Sequence, residues 1–138
     1  MRQFILVLII AMTPVSSEAA SAEVARFDGA WTVTVACPEA AGAMGFSYQI
    51  TGAVHQSLFH AERMHAGEPG WLVIDGPIAA DGQAKLYAKG QVGAAQFAVG
   101  QRPKGTEYGY HVDARFEGDR GSGRRVEGRR CDLDFVRR

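Results

Sequence analysis

The sequence predicts an all-β fold: an antiparallel meander of seven or eight short strands closing into a small barrel, with a β-sandwich as the alternative. Three observations lead there. Apolar residues recur at every second position along most of the chain beyond residue 26, and no stretch of useful length follows a helical period. Turn signals rich in Gly, Pro, Asp and Ser return about every 8–12 residues. The two cysteines, Cys37 and Cys131, stand near opposite ends of this strand-forming region, so a bridge would tie the first strand to the last. Such a tie favours a closed barrel. Eight short strands enclose an interior that side chains just fill, or that holds one small ligand.

The chain opens on a different pattern. Met1-Arg2-Gln3 is a short basic lead, Phe4 to Met12 is an apolar run, and Ala20-Ser21-Ala22 is an A-x-A cleavage pattern. The apolar run falls short of the roughly 20 residues needed to cross a bilayer. Residues 1–22 are expected to be a signal peptide and 23–138 a single exported domain, periplasmic or secreted, with no transmembrane segment after cleavage. An oxidising compartment permits a Cys37–Cys131 disulfide, which closes a long loop and in the chain-entropy model stabilises by roughly 4–5 kcal/mol.

In the first expected strand, Trp31, Val33, Val35 and Cys37 share one face and Ala30, Thr32, Thr34 and Ala36 the other; Pro38 ends it. Phe46, Tyr48, Ile50 and Val54 align in the second, with Gly52 on the same face marking a bulge or a close backbone approach. Ser57 to Met64 returns as a third strand of ambiguous face. In the fourth, Leu72, Ile74 and Ile78 face the core, Trp71 faces out, and Gly76-Pro77 interrupts the ladder. Asp81-Gly82 turns the chain into a fifth strand with Ala84, Leu86 and Ala88 inward and Lys85, Tyr87 and Lys89 outward. Gln91 to Gly105 is irregular, with Phe97 and Val99 available to pin it down. Tyr108, Tyr110, Val112, Ala114 and Phe116 then form the clearest alternating face. Gly118 to Gly123 reads as a turn, Arg124 to Glu127 as a possible strand start, and Arg130 to Arg137 as the last strand, with Cys131, Leu133 and Phe135 on one face.

Gly29-Ala30-Trp31 resembles the G-x-W signature of lipocalins and their smaller relatives. In that superfamily the Trp packs at the closed end of the barrel beneath an Arg from near the last strand. The resemblance implies that role for Trp31 and Arg129, with Arg129 near the disulfide as well. The second lipocalin motif, T-D-Y, is absent. Phe27 to Trp31, Asp81 to Leu86, Gly105 to Gly118 and Gly121 to Cys131 also resemble an uncharacterised family of small exported bacterial domains, which implies one autonomous domain and no particular activity.

His60, Glu62 and His65 form the one cluster with spacing suited to metal ligands, although His65 falls on the other face of a regular strand from His60 and Glu62. A solvated, polar strand end is the better reading of them, and no metal or other cofactor is expected. No Ser, Cys or Lys lies in a motif that would activate it as a nucleophile. Lys plus Arg equal Asp plus Glu at 15 each, so net charge points to neither nucleic acid nor an anionic membrane. Eight of the twelve arginines nevertheless fall at or after Arg115. Arg124, Arg125 and Arg130 there, with outward Trp71 and Tyr87, form a candidate surface for a protein or an anionic glycan or headgroup.

The expected function is therefore a non-enzymatic exported binding module. A carrier of one small hydrophobic ligand, lipocalin fashion, is the alternative, and a metal-dependent hydrolase using His60 to His65 is the third reading. The bulky inward set (Trp31, Phe46, Tyr48, Tyr108, Tyr110, Phe116, Phe135) implies a filled interior.

Overall fold

Eight strands follow one another around a closed barrel in chain order, each antiparallel to its neighbours, in the computed structural model, which describes residues 26–138. The signal peptide expected over residues 1–22 lies outside the described residues. The strands are β1 (Gly29–Cys37), β2 (Phe46–His55), β3 (Leu58–Arg63), β4 (Leu72–Pro77), β5 (Gln83–Gln91), β6 (Glu107–Glu117), β7 (Arg120–Arg125) and β8 (Asp132–Arg137). β8 closes on β1 from Trp31 opposite Arg137 to Ala36 opposite Asp132. One step further along that register, Cys37 and Cys131 are joined by the disulfide. Closure leaves the sheet without a free edge, the barrel's answer to strand aggregation.

The expected alternation positions the core. Trp31, Val33, Val35, Ile50, Val54, Leu72, Ile74, Leu86, Val112, Leu133 and Phe135 are all buried. The third strand, ambiguous by parity, turns Phe59 and Ala61 inward and Leu58 and His60 outward. Gly52 marks a close approach: a Cβ there would sit 2.9 Å from the Ala61 Cβ, and Gly52 lies opposite Trp31 in the β1–β2 register. At Gly76-Pro77 the β4–β5 ladder lapses and resumes at Ile78 opposite Ala84, because Pro has no N–H to donate.

The turn expected over Gly118 to Gly123 needs correction. Residues 118–123 are not a turn throughout; β7 begins at Arg120, and the reversal is confined to Gly118 and Asp119. Gly121 and Gly123 are inward strand positions where bulk is excluded: a Cβ on Gly121 would lie 3.0 Å from the Phe116 ring and 3.2 Å from the Phe135 Cβ. The glycines make room for aromatic neighbours, which composition alone does not distinguish from a turn.

The two ends of the barrel differ. At one end the connections are tight, including the two-residue turn Gln56-Ser57, where both residues take positive φ and both N–H groups donate to the Asp28 carboxylate. An aromatic plug fills this end. The Trp31 ring meets Phe116 edge-on at 5.2 Å, Phe116 and Phe135 are 4.8 Å apart, and the Trp31 Nε1–H donates to the Phe27 carbonyl. At the other end the connections are longer: residues 38–45, 64–71, 92–106 and 126–131. Two short 3-10 turns, Ala95–Phe97 and Val99–Gln101, order the longest of these.

A guanidinium does lie over Trp31, at 5.1 Å, but it is that of Arg137 and not Arg129. Register decides the matter. Trp31 pairs with Arg137, whereas Arg129 precedes β8 at the disulfide end, about 20 Å along the strand at ~3.3 Å per residue. Arg137 also donates to the carbonyls of Asp28, Arg26 and Gly118 and pairs with Asp119 at 2.9 Å.

Candidate functional site: an arginine-lined cup

The interior is filled only at the closed end. Towards the long connections it opens into a cup of about 720 Å³, within the range of small-molecule sites. Four of the seven side chains expected to fill the barrel line it instead: Phe46 and Tyr48 of β2, and Tyr108 and Tyr110 of β6. In an eight-stranded ring β2 and β6 are diametrically opposed, so two aromatic walls face one another. Within each wall the rings are parallel, Phe46 on Tyr48 at 5.6 Å and Tyr108 on Tyr110 at 6.1 Å.

Arginines occupy the neighbouring strands. Arg63 follows Phe59 and Ala61 on the inward face of β3, and Arg125 follows Gly121 and Gly123 on the inward face of β7. These strands are likewise opposed. Arg63 lies 4.6 Å from the Tyr48 ring centre and Arg125 4.2 Å from that of Tyr110, so each opposed strand pair carries the same guanidinium-on-tyrosine unit. Arg129 and Arg102 also line the cup, and no Asp, Glu or His among the described residues does.

Arg129 acts as a staple. It donates to the carbonyls of Phe97, Pro38 and Met44 and lies over the Phe46 ring, holding three of the long connections together. Burial, helped by the neighbouring Arg125, lowers its affinity for its proton. Arg63 gives one N–H to the Gly70 carbonyl and Arg125 its Nε–H to that of Glu127, leaving other guanidinium donors on both free of described partners. Burial holds the Tyr48, Tyr108 and Tyr110 phenols above their ordinary range; at Tyr108 it does so against the pull of both Arg125 and Arg63. All three are neutral donors at physiological pH.

The remaining predicted residues lie outside the cup. His60 and Glu62 share the outer face of β3, their nearest ring and carboxylate atoms 3.7 Å apart, and His60 also meets Asp75 across the ladder. His65 stands apart in the following turn, its N–H bonded to Glu68, and no group of three His, Cys, Asp or Glu among the described residues can hold a metal. Trp71 is half-buried, with its Nε1–H on Glu62 at 3.0 Å, and Tyr87 is exposed beside His111. Arg124, on the outer face of β7, and Arg130, just before β8, both lie beside Asp132 at 3.5 and 3.4 Å. The proposed surface is thus split, with only Arg125 turned into the barrel. A broader outer concavity over β5–β8 and β1 carries charges of both signs, Lys85 and Asp113 paired at 2.7 Å among them.

Sequence reasoning missed Arg63 as a site residue. Its signal was present once Phe59 and Ala61 were taken as inward, since Arg63 has the same parity.

No protein-family model, curated protein or solved structure significantly matches the chain.

Proposed function

We propose that this protein is an exported, non-enzymatic binding module whose site is the open cup. The observation that carries the reading is the half-empty barrel: aromatic walls and inward arginines surround about 720 Å³ at one end while the other end is packed. Packing a core needs no cationic group at an inward strand position, and Arg63 and Arg125 leave the cup positively charged. The lining supports binding over turnover. Its phenols stay neutral, its one described cysteine is bridged, and the described residues present no carboxylate or imidazole there as a general base. The disulfide supports an oxidising compartment, and no helix among the described residues is long and apolar enough to cross a membrane.

The cup draws the rim-binding and small-ligand-carrier readings onto one place. Against the outer arginine edge stands its engagement with Asp132. Native mass spectrometry of chain isolated without detergent from the exported fraction tests the proposal. It predicts one small-molecule adduct per chain, absent when Ala98→Trp fills the cup. An adduct retained in a folded Ala98→Trp variant would place binding elsewhere.

A further inference from the structure

Binding in the cup, taken as above, leaves the ligand's chemistry open, and two features of the cup narrow it. The first is uncompensated charge. Arg63 and Arg125 enter from opposed strands, both act electrostatically on Tyr108, and no acidic residue among those described lines the cup. Their guanidinium groups lie over tyrosine rings, which holds them in place while leaving N–H groups for a fork onto an anion. The hydroxyls of Tyr48, Tyr108 and Tyr110 hydrogen-bond to no other described residue, and all three are donors. The second feature is where the apolar surface lies. Of the six large hydrophobic side chains exposed among the described residues, four stand on the connections around the mouth: Met44, Met64, Val99 and Val126. Phe97, edge-on to Phe46, continues that apolar lip.

We infer that the cup takes a single amphipathic organic anion head first, the anionic group between Arg63 and Arg125 with Tyr108 as shared donor, and the apolar body against the lip. The polarity follows from the order of the lining along the barrel axis. Arg63, Arg125 and Tyr108 are strand residues, and both arginines act on the Tyr108 phenol, whereas Met64 and Phe97 belong to the connections beyond the strand ends. Carboxylate and phosphate heads share the required chemistry, since both accept the guanidinium fork.

Isothermal titration of the mature, disulfide-bonded chain with four decyl compounds tests this: decanoate, decyl phosphate, decanol and decyltrimethylammonium. At least one anion is expected to bind one per chain, about tenfold or more tighter than decanol, as charge-assisted bonds imply, and decyltrimethylammonium more weakly than decanol. Tightest binding by decanoate marks a carboxylate ligand, and by decyl phosphate a phosphate monoester. Arg63→Met and Arg125→Met should each remove most of the anion's advantage and leave decanol unchanged, which separates recognition from collapse of the cup. Decanol binding as tightly as both anions would refute the anionic class while leaving the cup a binding site. Silence from all four compounds would count against the cup as well. Orientation is read from nuclear Overhauser contacts of the bound anion. Contact between its first methylene and the Tyr108 ring, and between its terminal methyl and Met64, is expected; the reverse pattern would overturn head-first entry.

Discussion

The closed and open ends of this barrel use the same contact, a guanidinium laid on an aromatic ring, to different effect. At the closed end Arg137 covers a wholly buried Trp31, gives its terminal N–H groups to three carbonyls and holds its Nε in an ion pair with Asp119 without a hydrogen bond. At the open end Arg63 covers a half-buried Tyr48 and Arg125 a buried Tyr110, and both keep donors in reserve. The closed-end guanidinium ties three carbonyls together, whereas the donors left over at the open end are what the proposed binding would use. The ends also differ in what maintains them. Aromatic packing holds the closed end, and the open end, lacking a packed core, depends on the Cys37–Cys131 bridge and the Arg129 staple.

The largest effects should come from breaking the closed end. Trp31→Ala removes the centre of the plug and is expected to cost about 3–5 kcal/mol, read as a lower urea midpoint. A loss below 1 kcal/mol would mean the plug collapses around the gap. Replacing both cysteines with Ser should cost about 2–4 kcal/mol and loosen the mouth, so ligand affinity falls together with stability. Unchanged binding in that variant would show that the cup keeps its shape without the bridge.

Exchanging arginines makes the contrast sharper. Arg137→Met strands carbonyls that are now satisfied and should destabilise by about 1–3 kcal/mol, whereas Arg63→Met should lower stability by less and act mainly on binding. Equal losses would erase the distinction between structural and recognising arginines.

Alkaline pH probes the open end alone. The cup phenols hold their protons more firmly in the folded chain than in the unfolded one. The stability they contribute is complete below the unfolded value of about 10 and declines as pH rises from there towards their folded values, because the unfolded chain then binds fewer protons. Tyrosinate absorbance should accordingly lag well behind a free-tyrosine curve and rise sharply only on unfolding. The smallest expected effect is that of Tyr108→Phe on stability, within about 0.5 kcal/mol, since its hydroxyl has no described partner to lose.

Much of the fold was legible in the sequence, because alternation reports which face of a strand a residue occupies and a single cysteine pair specifies closure. Misreadings arose where one residue type serves two purposes. Gly121 and Gly123 look like a turn, yet they are strand positions pared down for Phe116 and Phe135. Arg129 was assigned to Trp31 although the Cys37–Cys131 pair already implied the correct partner: counting back along antiparallel strands from that bridge sets Trp31 opposite Arg137. The cup was the least legible part. Alternation turned Tyr48, Tyr108 and Tyr110 inward, but it carries no measure of the space enclosed, which depends on the long connections that hold the mouth open.

The most direct test of the division between a packed end and a receiving end is a ¹H–¹⁵N correlation spectrum recorded while decyl phosphate is added. Amide shifts should move at Gly90, Gly93, Tyr108 and Gly128 around the cup, and stay fixed at Gly29, Gly52 and Gly118 around the plug. Shifts confined to the plug or to the outer arginines Arg124 and Arg130 would contradict the account.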